Sequence, residues 1–392
     1  MPVYESTHLL KERQIQLGSY YTPESLVEKV YELIEPYTGN GVIIFDNAAG
    51  FGAFVVKAKA QECDYRAAEC DLGAYNFLKE NLDEKKVFYT NSLINVSREK
   101  YHIPNGAFVI QVGNPPYNDT TSEFKNGQKG QNVCDNDLAD RDLGISFLKS
   151  YNKLKANLVC VLHPLSYLIK EANFKRLKDF RYNYKLIKGE IFSSSWFSGT
   201  GSLKFPIVIA LYERDAGGMS FDYIRNFEFN ILDSKAIFKL ARYETTDGCI
   251  DKYPPRKDGR KTSPIWLYYY TFRDINSLKK NSSFMNKQHY NGIIVTVENL
   301  YKYAYLNAFK ELFSAQDMWL YGNLSPLINR EELEKNKKSY IEYAIQTNLV
   351  IKTSNKAILQ EIAEYYEINL NNLTNIETLE KKIQNQLNTL IL

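Results

Sequence analysis

The peptide Asn114-Pro115-Pro116-Tyr117 follows directly on a run of apolar, β-branched residues at 107–112. Two consecutive prolines fix φ twice and remove two N–H donors, and each keeps the residue before it in extended backbone. The product is a stiff turn with fixed carbonyls. It can aim the side-chain oxygen of Asn114 and the carbonyl of Pro115 at one point, with the ring of Tyr117 beside them. Two convergent acceptors next to a flat ring suit a planar NH2 group. An ordinary strand-ending turn is the other reading, because Pro and Asn are common in loops.

A second cluster, Asp46-Asn47-Ala48-Ala49-Gly50-Phe51-Gly52, follows the run at 42–46 and opens a helical stretch. Small residues at such a junction let a ligand come close to the backbone. The loop has neither the three-glycine dinucleotide fingerprint nor a phosphate-loop lysine, which argues against NAD and ATP. Glu69 lies 23 residues after Asp46, at the end of the next apolar run. An acid at that place commonly takes the ribose hydroxyls of an adenosine ligand, although a solvated strand-end acid would look the same.

These residues need a frame that brings strand ends together. Short apolar runs at 42–46, 65–69, 87–89, 107–112, 158–162, 184–192 and 206–212 alternate with helical patterns through the first half of the chain. Strands spaced by helices form right-handed crossovers and a mostly parallel sheet covered on both faces. The expected fold class is therefore α/β, a Rossmann-like domain with a mostly parallel seven-stranded sheet over residues 1–214. Residues 118–144 are polar and read as a long loop, of the kind that is a lid or a disordered segment. The turn Asp215-Ala216-Gly217-Gly218 is the expected boundary, followed by a mixed α+β domain over 219–392 with a helical end. There Ile376, Leu379, Ile383, Leu387 and Leu390 recur at helical spacing. That stripe could pack on its own domain or form a dimer seam. No internal repeat is present.

The 392 residues are 44% apolar and 24% charged, which excludes a largely disordered, collagen-like or disulfide-dense chain. A net charge of +3 is too small to announce a nucleic-acid partner in bulk, so any basic surface must be local. The stretch 251–262 supplies one, with Lys252, Arg256, Lys257, Arg260 and Lys261 against Asp251 and Asp258. It could hold phosphates, or be a solvated surface loop. Five widely spaced cysteines without a C-x-x-C pair, and only four histidines, indicate neither a disulfide framework nor a metal site. No apolar window long enough for a membrane span occurs, so a cytoplasmic location is expected.

In this order and spacing the motifs resemble the S-adenosylmethionine-dependent N6-adenine DNA methyltransferases of the gamma arrangement, of restriction-modification type. Gly18-Ser19-Tyr20-Tyr21-Thr22-Pro23 is similar to the family's N-terminal cofactor motif, Asp46 to Gly52 to its first motif, and Asn91-Ser92-Leu93 to the motif that contacts the cofactor adenine. Asn114 to Tyr117 looks like its catalytic tetrapeptide, the NPPY motif. The resemblance covers about residues 14–212. It departs at Asn47-Ala48-Ala49, where the family usually has Pro or another small residue, and at Asn91, where it usually has Asp; the Asn91 amide oxygen can still accept from an exocyclic amine.

The resemblance implies a cofactor site of Tyr21, Thr22, Asp46, Ala48, Gly50, Gly52, Glu69, Asn91, Ser92 and Asn114, and a catalytic group of Asn114, Pro115 and Tyr117. It implies a target adenine flipped out of double-stranded DNA, stacked on Tyr117 and on an aromatic after a later strand. The candidates are Phe192, Trp196 and Phe197, with Phe192 preferred because it ends the expected strand. Hydrogen bonds to both N6 protons would pyramidalise the amine and aim its lone pair for direct in-line transfer. The C-terminal domain would be the target-recognition domain, with Arg256, Lys257, Arg260 and Lys261 on DNA. A monomer or weak dimer in the bacterial cytoplasm, associated with the nucleoid, is expected, with cleavage left to a separate restriction endonuclease. The same tetrapeptide also serves methylation of RNA adenines and of protein glutamines, and a non-catalytic DNA-binding relic is a further reading.

Overall fold

A computed structural model describes residues 22–117, 134–197, 204–232, 234–255 and 264–391. Two compact units divide the chain, one running through Leu240 and the other starting at Ala241.

The first unit is built on a nine-stranded sheet in the order β3-β2-β1-β4-β5-β7-β6-β8-β9. Its strands are β1 Val42–Asp46, β2 Asp64–Glu69, β3 Val87–Tyr89, β4 Phe108–Gly113, β5 Leu158–Pro164, β6 Tyr184–Ser193, β7 Pro206–Arg214, β8 Phe229–Ile231 and β9 Ile237–Phe238. The first five in spatial order, β3 to β5, are parallel, while β7 is antiparallel to both β5 and β6. This is the mixed α/β, Rossmann-like architecture expected from the alternating pattern. The central strands are apolar on both faces, as a sheet covered on both sides requires; Ile44, Phe45, Ile110, Val159 and Val161 are fully buried.

The expected count of seven strands needs correction. Beyond β6 the sheet continues through β8, parallel to it, and β9. Gly189 permits this, since a Cβ there would stand 2.7 Å from Phe229 Cδ1. Phe229 and Phe238 are fully buried at this extension, so the first unit runs past the turn at 215–218.

Four helices matter for the site: α1 Glu24–Ile34, α2 Ala53–Ala60, α3 Leu72–Asn81 and α4 Leu143–Lys153. α1 is amphipathic and buries Leu26, Val27, Val30, Tyr31 and Ile34, the spacing of one helical stripe. The side chains of Asp71 and Asp142 cap α3 and α4 by accepting from Ala74 N and Gly144 N, satisfying N–H groups that a helix start leaves over. Between β5 and β6 two short helices, Glu171–Arg176 and Asp179–Asn183, are separated at Lys178, which has a positive φ of 49°.

The second unit holds a three-stranded antiparallel sheet, β11-β10-β12, formed by β10 Ile265–Tyr270, β11 Phe284–Met285 and β12 Gly292–Thr296. Helices α5 Leu300–Leu312, α6 Lys337–Thr347 and α7 Ile376–Asn388 belong to it. In α7 the residues Leu379, Ile383 and Leu387 are buried, and Tyr340 on α6 donates to Gln386 Oε1 at 2.9 Å. The α7 stripe thus packs within its own unit. No helix of the described residues is long and apolar enough to cross a membrane.

Candidate active site

The carboxyl ends of β1, β2 and β4, three neighbouring parallel strands, carry most of the residues singled out above. β1 ends in Asp46, only 2% exposed. Its Oδ1 accepts the N–H of Ala48 at 3.1 Å. Burial pushes its pKa up to about 7, the Ala48 N–H opposing and the Glu69 charge adding to the rise. The loop then turns through Gly50 and Gly52, with φ of 52° and 81°, a region that glycine enters without strain. At Gly52 space is closed as well, since a Cβ would meet Leu78 Cδ2 at 2.5 Å. At Gly50 nothing lies within 4 Å of a Cβ position, so that side of the loop is open to a ligand.

Glu69, at the end of β2, is held by backbone donors. Gly50 N donates to Oε2 at 2.7 Å, and Cys70 N and Asp71 N donate to Oε1 at 2.7 and 2.8 Å. The acid is therefore anchored to the β1 loop, and its orientation is set before any ligand arrives. Asn91 follows β3. Its Oδ1 accepts Leu93 N at 2.9 Å and its carbonyl accepts Lys100 Nζ at 2.8 Å. Ser92 is buried. A cavity of about 550 Å³ opens beside this turn, lined by Thr90, Asn91, Ile94, Ser97, Lys100 and His102 among others.

β4 ends at Gly113 and delivers Asn114. The position of a Gly113 Cβ would be 2.9 Å from Asp46 Oδ1, so the β1 and β4 ends are in direct contact. Asn114 Nδ2 donates to Thr22 Oγ1 at 3.2 Å, which ties Thr22 to the Asn114 turn. Tyr117 OH is hydrogen-bonded to Asn114 Oδ1 and to the Leu162 carbonyl. In this form the Asn114 oxygen expected to receive an amine proton is held by Tyr117.

The three aromatic candidates differ in exposure. Phe192 and Phe197 are each 2% exposed, whereas Trp196 is half-buried. Phe192 packs edge-on against both, with ring centroids 6.0 Å from Trp196 and 5.8 Å from Phe197. Of the three, Trp196 is the ring with an accessible edge. Tyr21, Arg256, Lys257, Arg260 and Lys261 lie outside the described residues, as does most of the loop at 118–144.

Sequence reasoning passed over two polar groupings at this end of the sheet. Asn47, Gln111 and Ser150 form a buried ladder joining β1, β4 and α4. A lone glutamine inside the apolar run Phe108–Gly113 was the available signal. In the second grouping, Tyr167 OH donates to Asp142 Oδ1, burial raising the Asp142 pKa to about 6. His163 is stacked on Tyr167 with centroids 5.3 Å apart and is bonded to Tyr212 OH at 2.7 Å. Burial lowers its pKa to about 4. No cluster of His, Cys, Asp and Glu suited to a metal ion occurs among the described residues.

The residues present fit S-adenosylmethionine. The β1 loop offers open backbone at Gly50, Asp46 and Glu69 offer acceptors, and Thr22 lies against Asn114. Comparison with solved structures finds similar chains of low identity. One, provisionally assigned as the modification subunit of a type I restriction enzyme from Vibrio vulnificus YJ016, is 16% identical over 59% of this chain and 52% of its own, with a TM-score of 0.42. Another, provisionally assigned as a class I S-adenosylmethionine-dependent methyltransferase from Listeria monocytogenes, is 15% identical over 57% and 69%, with a TM-score of 0.38. A third, provisionally assigned as an RNA methyltransferase from Pyrococcus horikoshii, is 16% identical over 51% and 88%, with a TM-score of 0.34. No curated protein matches the chain. The match that reaches the motifs themselves is to the family described as N-6 DNA Methylase, whose model matches residues 3–173.

Proposed function

We propose that this chain transfers a methyl group from S-adenosylmethionine to the N6 amine of an adenine flipped out of double-stranded DNA, as the modification activity of a restriction-modification system. The observation that carries the reading is the placement of Asn114 against Thr22, with the preceding Gly113 against Asp46, within a segment matching the N-6 DNA Methylase family. Thr22, Asp46, Ala48, Gly50, Gly52, Glu69, Asn91 and Ser92 hold the cofactor, with Tyr21 from the first motif. When bound, the cofactor supplies an electrophilic methyl group on a sulfonium.

The protein's own part is to make a poor nucleophile competent. The N6 lone pair of adenine is delocalised into the ring, and an amine that donates both protons to fixed acceptors is drawn towards a pyramidal geometry. Asn114 Oδ1 and the Pro115 carbonyl are those acceptors. The incoming amine takes the place of the Tyr117 hydroxyl on Asn114, and releases the Tyr117 ring to lie against the base. Trp196 offers the second ring. The unit from Ala241 onwards, with the basic residues Arg256, Lys257, Arg260 and Lys261, selects the DNA sequence through phosphate and base contacts.

The test is methyl transfer from tritiated S-adenosylmethionine to genomic DNA of unrelated origin, followed by nucleoside mass spectrometry. N6-methyladenine in the DNA is the expected product. Cofactor binding without label in DNA overturns the reading of the substrate, and transfer to RNA or to a protein glutamine names the replacement.

A further inference from the structure

Gln111 is the one polar side chain in the run Phe108–Gly113, and it is fully buried. Its Nε2 donates to Asn47 Oδ1 at 3.3 Å, Asn47 Nδ2 donates to Ser150 Oγ at 3.3 Å, and Ser150 Oγ donates to the Phe147 carbonyl at 2.7 Å. Gln111 Oε1 has no partner among the described residues. A half-satisfied buried amide costs free energy that an apolar residue of equal size would not, so stability alone does not account for a glutamine here. Its placement does. Asn47 directly follows Asp46 and precedes Ala48 and Gly50, while Gln111 precedes Asn114 by three residues. The two strand ends already touch where Asp46 Oδ1 faces Gly113, and the amide pair bridges them just beyond the last backbone pairing, Phe45 with Gln111.

We propose that Asn47 and Gln111 are positioning residues, a buried amide lock that sets the register between the cofactor loop after β1 and the Asn114 turn after β4. The inference rests on the function proposed above, in which those two loops hold the donor and the acceptor of the methyl group. A misplacement of 1 Å between reacting groups can cost about a hundredfold in rate, so a lock between the loops acts on turnover more than on folding.

The double variant Asn47→Leu/Gln111→Met removes both amides while keeping side-chain size, and leaves no new unpaired partner on either residue. Its Tm equals or exceeds that of the wild type. Turnover at saturating S-adenosylmethionine and DNA falls by about tenfold to a hundredfold, the KM for DNA is unchanged, and calorimetry shows several-fold weaker S-adenosylmethionine binding. Wild-type turnover together with wild-type cofactor affinity in this variant overturns the lock. Ser150→Ala, which spares the Asn47–Gln111 bond, keeps near-wild-type turnover; a loss equal to that of the double variant means general core damage and also overturns it. Should the double variant not fold, Gln111→Asn, one methylene too short to reach Asn47, carries the same test. If the wild-type chain methylates no DNA, the proposed function fails by itself. The lock is then judged by calorimetry alone, unchanged S-adenosylmethionine affinity overturning it and a several-fold loss sustaining it.

Discussion

Two stretches along the carboxyl edge of the same sheet handle their functional candidates in opposite ways. Where β1, β2 and β4 finish, the side chains are polar and each is assigned to named partners: Glu69 to three backbone N–H groups, Asp46 to Ala48, Asn114 to Thr22. Where β6 finishes, Phe192, Trp196 and Phe197 pack on one another. Buried polar groups need partners at defined distances, so their arrangement is specific to a task. Aromatic rings gain from burial wherever they lie, and the same residue types serve a core and a stacking surface equally well.

The sharpest way to break this contrast is to truncate an aromatic. Phe192→Ala should lower the stability to denaturant by about 3–5 kcal/mol, the cost of emptying a large core site. A stable variant that instead loses 2-aminopurine fluorescence change at the target position would move Phe192 from core to base contact. In the polar stretch the expected loss is in rate. Asn114→Ala should reduce turnover by roughly a hundredfold or more with little change in cofactor affinity, and wild-type turnover would sink the catalytic assignment.

The buried carboxyl of the polar stretch gives a pH signature that the aromatic stretch cannot. Asp46, raised to about 7 by burial, stays protonated in the folded chain after the unfolded chain has released its proton. Its contribution to stability is present at low pH and is lost as pH rises from about 4 to 7. Asp46→Asn does not titrate, so the stability of this variant relative to wild type should improve with pH across that window and level off above it. Urea titrations at half-unit intervals would show a flat difference if Asp46 is ionised throughout. The smallest effect belongs to Trp196→Ala. Its half-buried ring should cost about 1 kcal/mol or less in stability, while the 2-aminopurine signal falls if this ring meets the base.

Much of the sheet is legible from alternation alone, because a strand buried on both faces leaves an unbroken apolar run, as at 42–46 and 158–162. The Asn114 turn and the β1 loop are legible because Pro and Gly restrict backbone in known ways. The amide lock was not, since a single Gln in a strand has no pattern until the fold shows that Asn47 faces it. Nor were β8 and β9, runs of three and two residues too short for any period to register. The second unit offered only its terminal helical stripe and a basic stretch, and nothing in β10, with six residues reading Ile-Trp-Leu-Tyr-Tyr-Tyr, states which strands would pair with it.

The extension of the sheet by β8 and β9 has a practical meaning for anyone cutting this chain into fragments. A piece ended at the 215–218 turn would strip Phe229 from Gly189 and uncover the edge of β6 at Glu190 and Ile191, where β8 pairs with it. Such an edge recruits other chains, and the fragment would be expected to aggregate. One carried to Leu240 keeps a two-residue strand as its border, too short a template for a neighbour to extend.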